Sequence, residues 1–178
     1  ADKFGYNCIS INYRLAPENK WPTQLEDCYA AYRGLDSIGI NACDVVFMGE
    51  SAGGTLVLSL ALCLKERNEA QPKAIVAFSP CVTHAEHYPS HSANAKTDYM
   101  LRDNVQKGLA DPVFGEDVPL DILRTPTASP IYGNYEGLPP IFLSVSDTEA
   151  LYDDSRELHK KLRAVGHRTE LDIRHGVC

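Results

Sequence analysis

Gly49-Glu50-Ser51-Ala52-Gly53 is the pattern in this chain with the plainest chemical meaning. A serine between two glycines at this spacing suits a sharp turn that lifts a hydroxyl above a sheet, where it can attack an electrophilic carbon. The flanks matter more than the pentapeptide. Val45-Val46-Phe47-Met48 reads as a short buried strand, and Thr55 to Leu64 is apolar on almost every face, as a helix packed inside a layered protein is. The helix start supplies N–H groups and a partial positive charge beside Ser51, so the Ala52 amide is placed to hold a developing oxyanion. Gly49 and Gly53 are expected to be glycines because a side chain at either place would collide with the reversing backbone. A phosphate-binding loop is the competing glycine-rich reading, and the G-K-[ST] ending it requires is absent.

Strands and helices alternate around this turn. Cys8 to Tyr13 reads as a strand. Pro22 suits a first helical turn, and Leu25, Cys28, Tyr29, Tyr32 and Leu35 follow at helical spacing down to Gly39. Ala74 to Phe78 and Ile141 to Val145 read as strands. Leu151, Leu158, Leu162 and Val165 form the apolar stripe of a helix stopped by Gly166, and Thr169 to Ile173 reads as a last strand. Between Ser79 and Pro139 the pattern loosens, with short helical stretches such as Met100 to Leu109, and a long irregular insertion after a core strand is more often functional wall than linker. This order predicts one α/β domain over residues 1–178 with a mostly parallel sheet flanked by helices.

Composition narrows the partners. The chain has 178 residues, 44% hydrophobic and 23% charged, enough for a real core. A net charge of -7 argues against nucleic acid or an anionic membrane as the main partner. No apolar run reaches transmembrane length, and residue 1 does not open a signal peptide, so no stable membrane insertion is expected. The six cysteines include no C-x-x-C pair and read as reduced thiols of a cytoplasmic protein. His84, His87 and His91 form H-x-x-H-x-x-x-H, but Pro89 interrupts the helix that would align them, and a solvated or pocket-lining loop is the expectation rather than a metal site. Trp21 and Tyr13 read as core or rim aromatics. Arg14 and Glu18 are candidates to tie their loop to Asp27, with a plain surface role as the alternative.

Three passages go beyond a generic α/β chain: Tyr13-Arg14-Leu15-Ala16-Pro17-Glu18, Gly49-Glu50-Ser51-Ala52-Gly53-Gly54, and Asp147-Thr148-Glu149-Ala150-Leu151-Tyr152-Asp153-Asp154. Their order and spacing resemble the hormone-sensitive-lipase-like esterases of the α/β-hydrolases. The likeness includes Ser129-Pro130 and Leu138-Pro139-Pro140. It implies hydrolysis of carboxylic esters with short or medium acyl groups, with no metal or cofactor. By that resemblance Ser51 is the nucleophile and the Ala52 N–H an oxyanion donor. The acid has two candidates. Aligning the family's Leu-x-Asp on Leu151-Tyr152-Asp153 gives Glu149, and weighting the family's preference for aspartate gives Asp147.

The resemblance also sets expectations that this sequence does not meet. The family needs a histidine as base, and His175 lies about nine residues after the Gly166 stop where the family spacing is nearer thirteen; that spacing would place the base immediately after Cys178, with His175 an exposed loop residue or, against the spacing, the base itself. The family's H-G-G-G oxyanion loop has no counterpart upstream of Tyr13-Arg14. The expectation is a piece of a longer esterase, with a gap in mid-sheet and open strand edges prone to association between copies. A non-catalytic ligand-binding module of the same fold, or an inactive fragment, is the alternative.

Overall fold

A computed structural model describes residues 3, 5–101 and 105–177, with the backbone alone over 105–109. Four parallel strands lie in the order β1 (Val46–Glu50), β2 (Ala74–Phe78), β3 (Ile141–Ser146) and β4 (Thr169–Arg174). The helices are α1 (Thr23–Gly34), α2 (Ala52–Glu66), α3 (Pro89–Ala93), α4 (Val105–Phe114), α5 (Leu120–Leu123) and α6 (Tyr152–Ala164). The alternation read from the sequence is thus present from residue 22 onward. The expected helix from Met100 to Leu109 falls partly on residues 102–104, outside the described residues; helix is present from Val105 to Phe114.

The core lies on one face of the sheet. Leu56, Leu58, Leu60, Leu62 and Leu64 of α2 and Leu158 and Leu162 of α6 are buried in one cluster with Phe47, Ile75, Ala77, Ile141 and Leu143. Strand side chains alternate between faces, so Val46 and Met48 point the other way. They are 42% and 64% exposed. The expected fully buried strand at 45–48 is therefore half open. Among the described residues β1 pairs only with β2, and no helix covers its second face.

Cys8 to Tyr13 form no strand, contrary to the sequence reading. A strand needs a neighbour for its N–H and C=O groups, and none lies beside this segment among the described residues. Ile9 is 57% exposed as a result. The segment is instead tied at its end. Arg14 donates from Nη2 to Asp27 Oδ1 at 2.6 Å, from Nε to Oδ2 at 2.9 Å, and from its backbone N–H to Oδ2 at 2.9 Å. These bonds hold the Asp27 carboxyl down to about 2. Tyr13 and Trp21 pack on the core rim, Trp21 with its ring centroid 5.6 Å from that of Phe114.

α6 ends as the sequence predicts. Gly166 adopts φ +71°, and the N–H of His167 returns to the Leu162 carbonyl at 2.9 Å. Pro89, expected to break a helix, opens one instead, because the missing N–H of proline costs nothing in a first turn. His91 on that short helix is buried rather than solvated. Its Nε2 lies 2.6 Å from Asp154 Oδ2, and its Nδ1 accepts the Tyr88 N–H. The other Asp154 oxygen accepts the Val82 N–H at 3.0 Å, and burial raises the Asp154 carboxyl. His87 and His91 meet edge-on with ring centroids 5.2 Å apart while His84 faces Phe114 instead, His87 bonds Ser92 Oγ, and among the described residues no group of three or more His, Cys, Asp or Glu is arranged to hold a metal ion. The five described cysteines are free thiols, with Cys28, Cys63 and Cys81 buried.

Candidate active site

Ser51 sits one residue past β1 and one before α2, with φ 52° and ψ −118°. This is a conformation that side-chain-bearing residues rarely adopt, and it persists only where the surroundings fix it. Here they do. The Ser51 N–H donates to the Phe78 carbonyl at 2.9 Å, and the Ser51 carbonyl accepts the Thr55 N–H at 3.0 Å as the first helical bond of α2. Thr55 Oγ1 donates onward to the Cys81 carbonyl at 2.7 Å. Strand, reversal and helix are thus locked around one serine. Ala52 opens α2, where helix geometry leaves N–H groups without an intrahelical partner.

The two glycines of the motif are not equivalent. A Cβ on Gly49 would overlap the Gly53 carbonyl, so the strand's last turn and the helix's first turn touch through bare backbone. Gly53 itself has open space around a would-be Cβ, which corrects the sequence expectation. The second tight position is Gly54, where a Cβ would lie 3.0 Å from Pro80 Cβ. Gly49→Ala is expected to destabilise the fold by about 3 kcal/mol, since the obstacle is backbone and cannot rotate away. Gly53→Ala should cost far less. Urea unfolding midpoints of the two variants check this contrast.

The acid candidates lie past the end of β3. The register pairs Ser146 with Arg174, so the next residues of the two strands, Asp147 and His175, fall side by side. Asp147 Oδ2 is 2.7 Å from His175 Nδ1, and Oδ1 accepts the Gly176 N–H at 3.0 Å. Gly176 and His175 together hold the Asp147 carboxyl below the usual range. Glu149 is differently engaged. Its Oε1 accepts the Ser146 N–H at 3.2 Å, and among the described residues Oε2 has no hydrogen-bond partner. Ser51 Oγ likewise meets no histidine among the described residues, and the His175 side chain is 80% exposed. His175 is thus the exposed loop residue the sequence predicts, with the added contact to Asp147.

The sheet sets the distances. Neighbouring strands lie about 4.8 Å apart and each residue advances about 3.3 Å; the register through Glu50, Phe78 and Ser144 puts the ends of β3 and β4 two residues beyond that of β1, so about 12 Å separate the exits of β1 and β3 and about 16 Å those of β1 and β4. A serine, an imidazole and a carboxylate in series span the first gap.

The segment after β2 carries His84. Its ring lies 4.9 Å from that of Phe114, its N–H donates to Ser129 Oγ at 2.8 Å, and burial lowers its pKa to about 4. A histidine depressed in the fold stabilises it fully above its unfolded value near 6.5, and that contribution is lost as pH falls toward about 4. Stability should drop by up to about 1.4 kcal/mol per pH unit across that window. His84→Gln should remove this part of the slope, read from urea midpoints of both proteins over the same pH range.

The sequence matches the family described as alpha/beta hydrolase fold across residues 1–178. The chain belongs to that family. This α/β-hydrolase chain is 31% identical to an esterase of Acinetobacter venetianus over 86% of its own length and 50% of the esterase's. It is 32% identical to Esterase LipU of Mycobacterium tuberculosis, over 93% of this chain and 56% of that one. Among solved structures it is similar to an esterase from the bacterial hormone-sensitive lipase family, with a TM-score of 0.84 and 33% identity, covering 93% of this chain and 55% of that one. The α/β-hydrolase chain therefore spans about half the length of the relatives it matches. Its four-stranded parallel sheet is a part of the sheet expected for the fold.

Proposed function

We propose that this chain carries the nucleophile and the acid of a serine hydrolase that cleaves carboxylic esters with short or medium acyl groups. The observation that carries the reading is the backbone of Ser51 at φ 52°, held between β1 and α2 by Phe78 and Thr55. Ser51 Oγ attacks the ester carbonyl carbon while a histidine takes its proton. The Ala52 N–H stabilises the oxyanion of the tetrahedral intermediate. The C–O bond to the alcohol then breaks, the alcohol leaves with the histidine's proton, and water hydrolyses the acyl-serine by the same steps in reverse order.

Glu149 is assigned as the acid that orients the histidine. Its Oε1 is anchored on its own loop and Oε2 is open, whereas both Asp147 oxygens are engaged by His175 and Gly176. The base that Glu149 orients is a histidine other than His175, whose ring is already bonded to Asp147. The 2.7 Å contact between His175 and Asp147 favours a second reading, in which those two act as base and acid. His175→Ala separates them: turnover within a few-fold of wild type supports the first reading, and its loss supports the second. An aryl phosphonate ester tests the core of the proposal. Mass spectrometry is expected to find one phosphonyl group on the peptide containing Ser51, and an unmodified Ser51 would defeat the hydrolase reading.

A further inference from the structure

The loop over residues 147–150, which bears both acid candidates, is gripped from outside itself. Asn94 Nδ2 donates to the Asp147 carbonyl at 2.9 Å and to the Glu149 carbonyl at 2.8 Å. Thr97 Oγ1 donates to the carbonyl of Thr148, the residue between them, at 2.9 Å. Ser90 Oγ donates to the Ala150 carbonyl at 2.7 Å, and Asp98 Oδ2 accepts the Ala150 N–H at 2.8 Å. Four consecutive carbonyls of the loop are therefore held by side chains from residues 90–97, in sequence far from β3.

The gripping segment is itself fixed. Asp98 is buried, and its Oδ1 accepts the Met100 and Leu101 N–H groups at 2.9 and 2.8 Å. Asp153 Oδ2 accepts the Ser90 N–H at 2.9 Å, and the buried His91–Asp154 contact pins α3 to the start of α6. Asn94 has the special place in this arrangement. A side-chain amide with two hydrogens on one nitrogen bridges two carbonyls without bringing a charge. An aspartate of the same shape offers oxygens to oxygens, and a serine reaches with a single donor.

We propose that Asn94 is a positioning residue for the hydrolytic reaction: by bridging the carbonyls on both sides of Thr148 it sets the direction of the Glu149 side chain toward the catalytic histidine. The inference rests on the ester-hydrolase reading given above. Asn94 touches neither substrate nor reacting atoms, and it acts only through the loop. A carboxylate turned away from the imidazole orients it less well and stabilises its protonated form less, so the histidine's pKa falls.

The test compares wild type, Asn94→Ala, Asn94→Ser and Thr97→Val with a chromogenic short-chain ester. Thr97 is exposed, so its substitution leaves the fold standing if Asn94→Ala does not. Loss of the bridge is expected to lower kcat by about 10- to 100-fold with KM within about 3-fold, as for other groups that orient a catalytic residue. Asn94→Ser and Thr97→Val should fall between wild type and Asn94→Ala. The acidic limb of the kcat/KM profile should move to lower pH in the order Thr97→Val, Asn94→Ala. A brace with a purely structural role would lower the unfolding midpoint and leave that limb in place. Folded variants with wild-type kcat and an unmoved limb would overturn the proposal alone. Wild-type protein with no Ser51-dependent turnover would overturn the hydrolase reading, and the role of Asn94 with it.

Discussion

Ser51→Ala is expected to lower kcat/KM for a short-chain p-nitrophenyl ester by roughly 10⁴- to 10⁶-fold, with the unfolding midpoint little changed. The size follows from what the hydroxyl does. Without it no acyl intermediate forms, and only binding and the remaining oxyanion donor contribute over water. The modest effect on stability follows from the backbone. Ser51 is held by its own N–H and C=O, to Phe78 and Thr55, and alanine keeps both bonds. Alanine accepts φ 52° no worse than serine does, so the turn survives the exchange. A rate unchanged by the substitution would show that turnover arises elsewhere, and ligand binding would become the reading to pursue.

Glu149→Gln is expected to reduce kcat by about 10³-fold, against a loss of less than about 10-fold for Asp147→Asn. The amide preserves the shape of Glu149 and its acceptor for the Ser146 N–H, so the loop is not disturbed. What disappears is the negative charge that steadies an imidazolium. Asp147→Asn takes the charge from a different contact, the one that ties His175 and Gly176 to the end of β3. The Asp147 carboxyl, held below its usual range by Gly176 and His175, supports this tie above its unfolded value and releases it as pH falls through the folded one. Reversal of the two magnitudes in parallel assays would make Asp147 and His175 the working pair and reassign Glu149 to a cap of its own loop.

What the sequence revealed is what depends on neighbours in the chain. α2 declares itself by its unbroken apolar run and β2 by its five residues between polar ends, and both lie where they were read. The Gly166 stop is similarly local. What it concealed depends on partners brought from afar. Cys8 to Tyr13 has the composition of a strand, yet pairing is a property of two segments, and here the second is lacking among the described residues. Val46 and Met48 look buried because apolar pattern records which residues prefer cover, not whether cover is present. The sharp turn at Ser51 was legible because Gly49 meets the Gly53 backbone within five residues. The Asp147–His175 contact spans 28 residues and follows from the parallel register of β3 and β4, which no local spacing encodes. Asn94 gave no signal at all, although an asparagine inside an otherwise patternless stretch is a residue type suited to bridging turns.

The parallel ladder has a consequence for how such a site tolerates change. Ser51 and Asp147 each leave a strand within one residue of its end, and His175 does the same on β4. Their separations follow from the strand spacing and the register, set by N–H and C=O groups that every non-proline residue possesses. Exchanging one apolar side chain for another under the sheet alters how firmly the layers adhere, and leaves that spacing as it was. Chains that share few core residues can therefore keep the same spacing between these strand exits, while a single inserted residue in β1 or β3 would rotate its terminal side chain to the opposite face.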